Sequence, residues 1–127
     1  MLCSEIFTAS LKLLGEVGDA EENPDYAERA PYIIASFASE AIEVDERYRM
    51  AHGIEKNAFA TTVMIGLDQS FPLSERLASS CALYLASMLI ADESPELSEE
   101  LYEKYCDSIS SVCRFLPHVC EDIKNVY

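Results

Sequence analysis

Apolar residues recur every three to four positions along four stretches of the chain, and this spacing predicts four helices. The predicted helices cover residues 4–15, 25–52, 74–92 and 95–115. Pro31 lies inside the second stretch, where the missing N–H and the clash with the preceding turn predict a bend. Because so few residues separate the last two helices, we expect them to form an antiparallel hairpin.

Residues with short polar side chains stand where the predicted helices begin. Ser4, Asn23 and Ser74 are each placed to cap a helix, and Ser94, followed by proline and glutamate, gives the clearest signal. His52 comes directly after the second helix, where a partial positive charge suits the helix dipole, so it is expected to cap that end.

The apolar face of each helix predicts the core, and the charged faces are expected to face water. On the second helix, Glu43–Arg47 and Asp45–Arg49 are spaced i,i+4 with the acid first, which favours exposed ion pairs. The predicted core comprises Ile6, Leu13, Phe37, Ala41, Val44, Leu77, Cys81, Tyr84, Leu85, Met88, Leu101, Tyr105, Ile109 and Val112.

Residues 54–73 interrupt the helical pattern. Their middle part, residues 58–65, has no charge and is rich in β-branched residues, so an extended segment or a short strand fits equally well. We expect residues 55–71 to dock on a neighbouring subunit or another protein; the alternative is that they fold back as a lid over the core. The interface candidates are Phe59, Val63, Met64, Ile65 and Phe71.

The predicted fold class is therefore all-α. It is a small bundle of about four helices with an extended or loop segment between the second and third helices. Residues 1–127 are expected to form one domain, with 116–127 as a tail.

Composition narrows the class of partner. The chain has 23 acidic and 9 basic residues and a net charge of −14, yet half of its residues are hydrophobic, which indicates a folded acidic protein. This charge disfavours direct, sequence-specific nucleic-acid binding, which depends on lysine and arginine. The nearly uncharged runs are too short or too polar to span a membrane, and no basic segment marks a signal peptide.

The sequence contains no recognisable catalytic or phosphate-binding motif. A reactive role for Cys81 would need a nearby base and an electropositive setting, and the acidic composition argues against that setting. We expect no catalytic residue and no cofactor.

Two groups of residues have the side chains that bind metals, although a structural interpretation is preferred for both. The group with cysteines is interpreted as buried thiols in a reducing compartment, and the group of glutamates as a solvated helix face. Neither a metal nor a disulfide is therefore expected. The two groups are Cys113, His118 and Cys120, and Glu40, Glu43 and Glu46.

Two stretches resemble the small head–tail connector, or adaptor, proteins of tailed phages and of prophages in Gram-positive bacteria. They are residues 71–105 (FPLSERLASSCALYLASMLIADESPELSEELYEKY) and residues 4–16 (SEIFTASLKLLGE). The resemblance implies a structural subunit without catalytic residues. It also implies assembly into a ring on the portal, contacts with tail and head-completion proteins, and a location in the bacterial cytoplasm or the virion.

Two alternatives of other classes remain open. The first is a small acidic binding or regulatory protein, such as a DNA mimic or an antirepressor, although the acidic residues are spread over all four predicted helices. The second is a helical enzyme subunit whose site forms only on oligomerisation.

Overall fold

The computed structural model describes residues 1–16 and 18–114, and in this part of the chain it contains helices and no strand. The predicted all-α bundle is confirmed. A 3₁₀ turn, Glu75–Leu77, leads into the third helix, so this helix begins later than expected. The four α-helices are α1 (Cys3–Leu13), α2 (Pro24–Ala51), α3 (Ala78–Ile90) and α4 (Pro95–Arg114).

The apolar helix α3 is the centre of the bundle, because it packs against all three other helices while α1 and α4 hardly touch each other. The hydroxyls of Ser80 in α3 and Ser108 in α4 lie 2.6 Å apart, which fixes the predicted antiparallel hairpin. Arg29 in α2 donates to the carbonyl of Leu89 near the end of α3. The small side chains of α3 allow this close approach on several sides.

The predicted core is confirmed at most positions. Val44, Met88 and Ile109 are partly buried at its edge. Leu13 is 43% exposed, and the prediction that it is a core residue is wrong. The buried face of α1 continues from Ser10 to Leu11 and the partly buried Leu14, which leaves Leu13 at the edge of that face.

The cap predicted for α1 is also wrong. This helix begins one residue earlier than expected, and Leu2 rather than Ser4 is its N-cap residue. The first free N–H groups donate to a distant part of the backbone: Cys3 to the carbonyl of Gln69 and Ser4 to that of Leu67, both at 2.9 Å. The N–H groups at the start of α1 thus have backbone acceptors, whereas at many helix starts a serine side chain accepts from such groups.

Helix α2 continues through Pro31 as one element. In the described residues no helix has the length and apolar character needed to cross a membrane. The predicted tail, residues 116–127, lies outside the described residues, and so do His118 and Cys120 of the metal-site alternative.

Candidate protein-docking site

The connecting segment, residues 54–73, is held at its base by a buried carboxylate. Asp45 of α2 is fully buried, so the prediction that it faces water is wrong. Its Oδ2 accepts from Arg49 Nε at 2.9 Å and from Asn57 Nδ2 at 2.7 Å, and its Oδ1 accepts from the Ser74 backbone N–H at 2.7 Å. We call these four residues the Asp45 cluster. It joins α2 to both ends of the connecting segment.

Burial alone would raise the pKa of Asp45, but the hydrogen bonds from Ser74, Asn57 and Arg49 outweigh burial and hold that pKa below its ordinary value. Asp45 is therefore a charged acceptor in the folded protein. A buried carboxylate with this many donors forms a rigid anchor, because moving any donor leaves charge unsatisfied.

Asn57 closes the connecting segment on itself. Its amide nitrogen also donates to the carbonyl of Pro72 at 2.8 Å, and its side-chain oxygen accepts from the N–H of Phe59 at 2.8 Å. All the polar atoms of the Asn57 side chain are thus used. The two ends of the segment are fixed side by side.

Three further backbone contacts hold the middle of the connecting segment. The N–H of Ile65 donates to the carbonyl of Pro31 at 3.1 Å, and the N–H of Phe71 donates to that of Met1 at 2.8 Å. The N–H of Gly66 donates to Gln69 Oε1 at 2.6 Å, which stabilises the turn between them. The segment is therefore attached to α2, to the start of the chain and to itself.

The inner side of the segment completes the core. Phe71 stacks on Phe37 with ring centroids 6.4 Å apart, and Phe37 also contacts Tyr84 and Tyr105. Burial raises the pKa of Tyr105 to about 12, as expected for a phenol enclosed by apolar side chains. Ile65 is buried as well. This side of the segment corresponds to the lid alternative.

The outer side of the segment presents apolar side chains to water. Val63 is 78% exposed and Met64 is 49% exposed, and we call these two residues the apolar tip. Beside it lies a recess of about 230 Å³ whose lining includes Phe59, Met64 and Ile65. An exposed apolar pair next to a recess, on an anchored base, has the form of a protein-docking element.

Of the five interface candidates, Phe59, Met64 and Ile65 line one recess, whereas Val63 and Phe71 do not. Ile65 and Phe71 lie in the core, Phe59 is partly buried against it, and Val63 and Met64 are exposed. Asp45 and Asn57, which anchor the base of the segment, were not predicted from the sequence. The available signal was the position of Asp45, four residues after Ala41 on the buried face of α2.

The other residues singled out from the sequence occupy ordinary structural positions. His52 follows α2 as its C-cap residue, and its Nδ1 lies 2.9 Å from the Tyr48 carbonyl, in keeping with the predicted role. Burial raises the pKa of the Cys81 thiol well above its ordinary value. Cys106 and Cys113 are exposed free thiols, so the prediction that Cys113 is a buried cysteine is wrong. Within residues 1–16 and 18–114, no group of three potential metal-binding side chains converges.

No known protein family, curated protein or solved structure matches this chain.

Proposed function

We propose that this protein is a structural adaptor subunit of a phage or prophage head–tail connector, and that it acts through protein–protein contacts. The observation that carries the proposal is the apolar tip, Val63 and Met64, exposed on a segment whose base is anchored by the Asp45 cluster. An assembly subunit needs a stable small core and an apolar element that is ready to enter a partner.

The anchored base makes this element suitable for docking. Binding costs less conformational entropy when the contacting residues are already held in place, and the base of the tip is fixed by side-chain and backbone hydrogen bonds. The proposed partners are the portal and the tail or head-completion proteins, with self-assembly into a ring on the portal. The acidity of the chain suits a conduit from which DNA is repelled.

The test first identifies the genes that lie beside this one, and then uses the purified full chain with the portal protein of the same phage or prophage. We expect Val63→Asp and Met64→Asp each to weaken binding to the portal at least tenfold, because each places a charge in an apolar contact. The matched control is Met50→Asp, since Met50 is 80% exposed at the end of α2, away from the tip. Equal loss in all three variants, or no loss in any, contradicts the proposal. Neighbouring genes for metabolic enzymes rather than capsid and tail proteins also contradict it.

The alternative is a small acidic binding or regulatory protein, of the DNA-mimic or antirepressor type. The net charge of −14 favours this class, and the described residues form only three ion pairs, which leaves most carboxylates available to a basic partner. Salt separates the two functions. Binding through spread carboxylates weakens as the salt concentration rises from about 50 to 200 mM, because mobile ions screen exposed charges, whereas binding through the apolar tip changes little.

A further inference from the structure

A second recess lies between α2 and α3, and its lining combines aromatic and apolar side chains with one arginine. Its volume is about 460 Å³. Tyrosine, methionine and arginine are enriched on surfaces where proteins bind one another, and Tyr32 in this lining is 53% exposed. We call this surface the α2–α3 recess. Its lining residues are Arg29, Tyr32, Ile33, Ser36, Tyr84 and Met88.

Arg29 brings a positive charge to the α2–α3 recess that its own chain uses only in part. Its Nη2 donates to the carbonyl of Leu89 at 2.9 Å, and its ion-pair partner Asp25 lies 3.8 Å away on an exposed side chain. Its Nε has no hydrogen-bond acceptor among the described residues. Because a guanidinium has several N–H donors, Arg29 retains donors for a carboxylate that enters the recess.

The apolar tip and its surroundings offer the complementary groups. Val63 and Met64 are exposed apolar side chains, and Asp68 follows them closely in the chain. A Cβ atom added to Gly66 would lie 2.7 Å from Asp68 Oδ1, so this carboxylate lies against the turn that follows the tip. Asp68 is exposed and forms no ion pair within the described residues. The tip therefore combines apolar side chains with a carboxylate, and the recess combines apolar side chains with an arginine.

The tip and the recess lie on opposite sides of α2. The N–H of Ile65, the residue after the tip, donates to the carbonyl of Pro31. Successive residues of an α-helix turn by about 100°, so Arg29 and Ile33, each two positions from Pro31, lie about 160° around the helix from it. The tip therefore cannot enter the recess of its own chain. It can enter the recess of another copy, head to tail, and a contact of this kind repeats from copy to copy.

We propose that the apolar tip of one copy of this chain docks in the α2–α3 recess of a second copy, with Asp68 of the first paired to Arg29 of the second. Each copy has a net charge of −14, so two copies repel one another and their contact needs local opposite charges, which this pair supplies. Contact with Tyr32 and Met88 removes the apolar tip from water.

This inference rests on the proposed function in taking the tip as a docking element, and it adds the contact through which copies form a ring. Copies linked in this way bind the portal together, so changes to the tip weaken portal binding as well.

Disulfide trapping between two variants of the full chain tests the contact. Competing thiols are first removed from both variants by Cys106→Ser, Cys113→Ser and Cys120→Ser. The tip variant then receives Met64→Cys, and the recess variant receives Tyr32→Cys. The matched control for the recess variant is Met50→Cys, because Met50 is also an exposed residue of α2 but lies outside the recess. The variants are mixed at high concentration and mildly oxidised, and peptide mass spectrometry measures each bridge.

We expect the bridge between positions 64 and 32 in at least fivefold higher yield than the bridge between positions 64 and 50. Equal yields with the two recess-side positions, or no bridge, overturn the proposal. A bridge that forms mainly between two copies of position 64 also overturns it, because the copies then meet tip to tip.

An exchange of charges tests the ion pair. Asp68→Arg in the tip variant should lower the yield of the bridge between positions 64 and 32 at least threefold, and Arg29→Glu in the recess variant should restore it. Because the two changes are in different chains, recovery cannot come from the repair of either fold. An unchanged yield with Asp68→Arg overturns the proposed contact. So does a lack of recovery with a recess variant whose circular dichroism is unchanged.

Trapping uses this chain alone, so the contact and the proposed function can fail separately. If the bridge forms but Val63→Asp leaves portal binding unchanged, the contact stands and the adaptor function is wrong. If Val63→Asp abolishes portal binding but no bridge forms, the adaptor function stands and the contact between copies is wrong.

Discussion

The replacement Asp45→Asn removes the charge of the Asp45 cluster while keeping the shape of the side chain. An amide has one acceptor oxygen, whereas Asp45 accepts from Arg49 and Asn57 on one side and from Ser74 on the other. Whichever way the amide turns, its NH₂ group faces a donor. A buried donor left without an acceptor costs about 1–3 kcal/mol, and losing a charged hydrogen bond adds to this. We expect the free energy of unfolding to fall by about 2–4 kcal/mol at pH 7.

The same replacement should matter less in acid. The pKa of Asp45 is lower in the folded chain than in the unfolded chain, where it is about 3.9. Its carboxylate therefore stabilises the fold at every pH above about 4, and this contribution is lost as the pH falls through the folded pKa. The substituted amide does not titrate. The difference in stability between the wild type and the variant should therefore be large at pH 7 and should shrink towards pH 2.5.

Urea titrations followed by circular dichroism at 222 nm measure both effects. They are made at pH 7 and pH 2.5, away from the isoelectric point near 4.3, where association is favoured. Asp25→Asn is the matched control, because the Asp25 side chain is 82% exposed and lies 3.8 Å from its arginine partner, Arg29; we expect a change below about 0.5 kcal/mol. A loss below about 1 kcal/mol for Asp45→Asn, or an equal loss at both pH values, refutes the reasoning.

Three further perturbations test the core. Raising the pH from 10 towards 12 should lower the urea midpoint, because burial raises the pKa of Tyr26 and Tyr105 to about 12 while unfolded tyrosines ionise near 10; a constant midpoint contradicts this. In urea titrations, Phe71→Ala should cost about 3–5 kcal/mol, whereas Val63→Ala at the exposed tip should cost less than about 0.5 kcal/mol; similar costs would show that the two sides of the segment are not distinct. Ala41→Glu buries an unpaired charge and should abolish the cooperative transition seen by circular dichroism.

The helices were predictable because the signals that form them are local. Spacing of three to four between apolar residues determines which face of a helix is buried, and it located α2 and α4 to within about one residue. Ser94 caps α4 much as expected, since its hydroxyl oxygen lies 3.4 Å from the N–H of Leu97. Each of these features involves residues that are close in sequence.

The features that the sequence did not predict depend on contacts between distant residues. The start of α1 is capped by carbonyls more than sixty positions away, at Leu67 and Gln69, and no local pattern indicates them. The connecting segment is not helical. Its backbone groups form separate hydrogen bonds to α2 and to the start of the chain instead of a helical repeat. Its division into a buried and an exposed side follows from those contacts and not from composition.

Asp45 shows what helical periodicity and charge spacing together can predict about burial. Its position, four residues after Ala41, places it on the buried face of α2, while the arginine four residues later suggests an exposed pair. The two signals conflict, and the conflict is resolved only by Asn57 and Ser74, whose donors make burial of the charge favourable. A carboxylate that lies in line with the apolar face of a helix thus indicates a polar partner elsewhere in the chain. Here those partners hold the ends of the segment that carries the apolar tip.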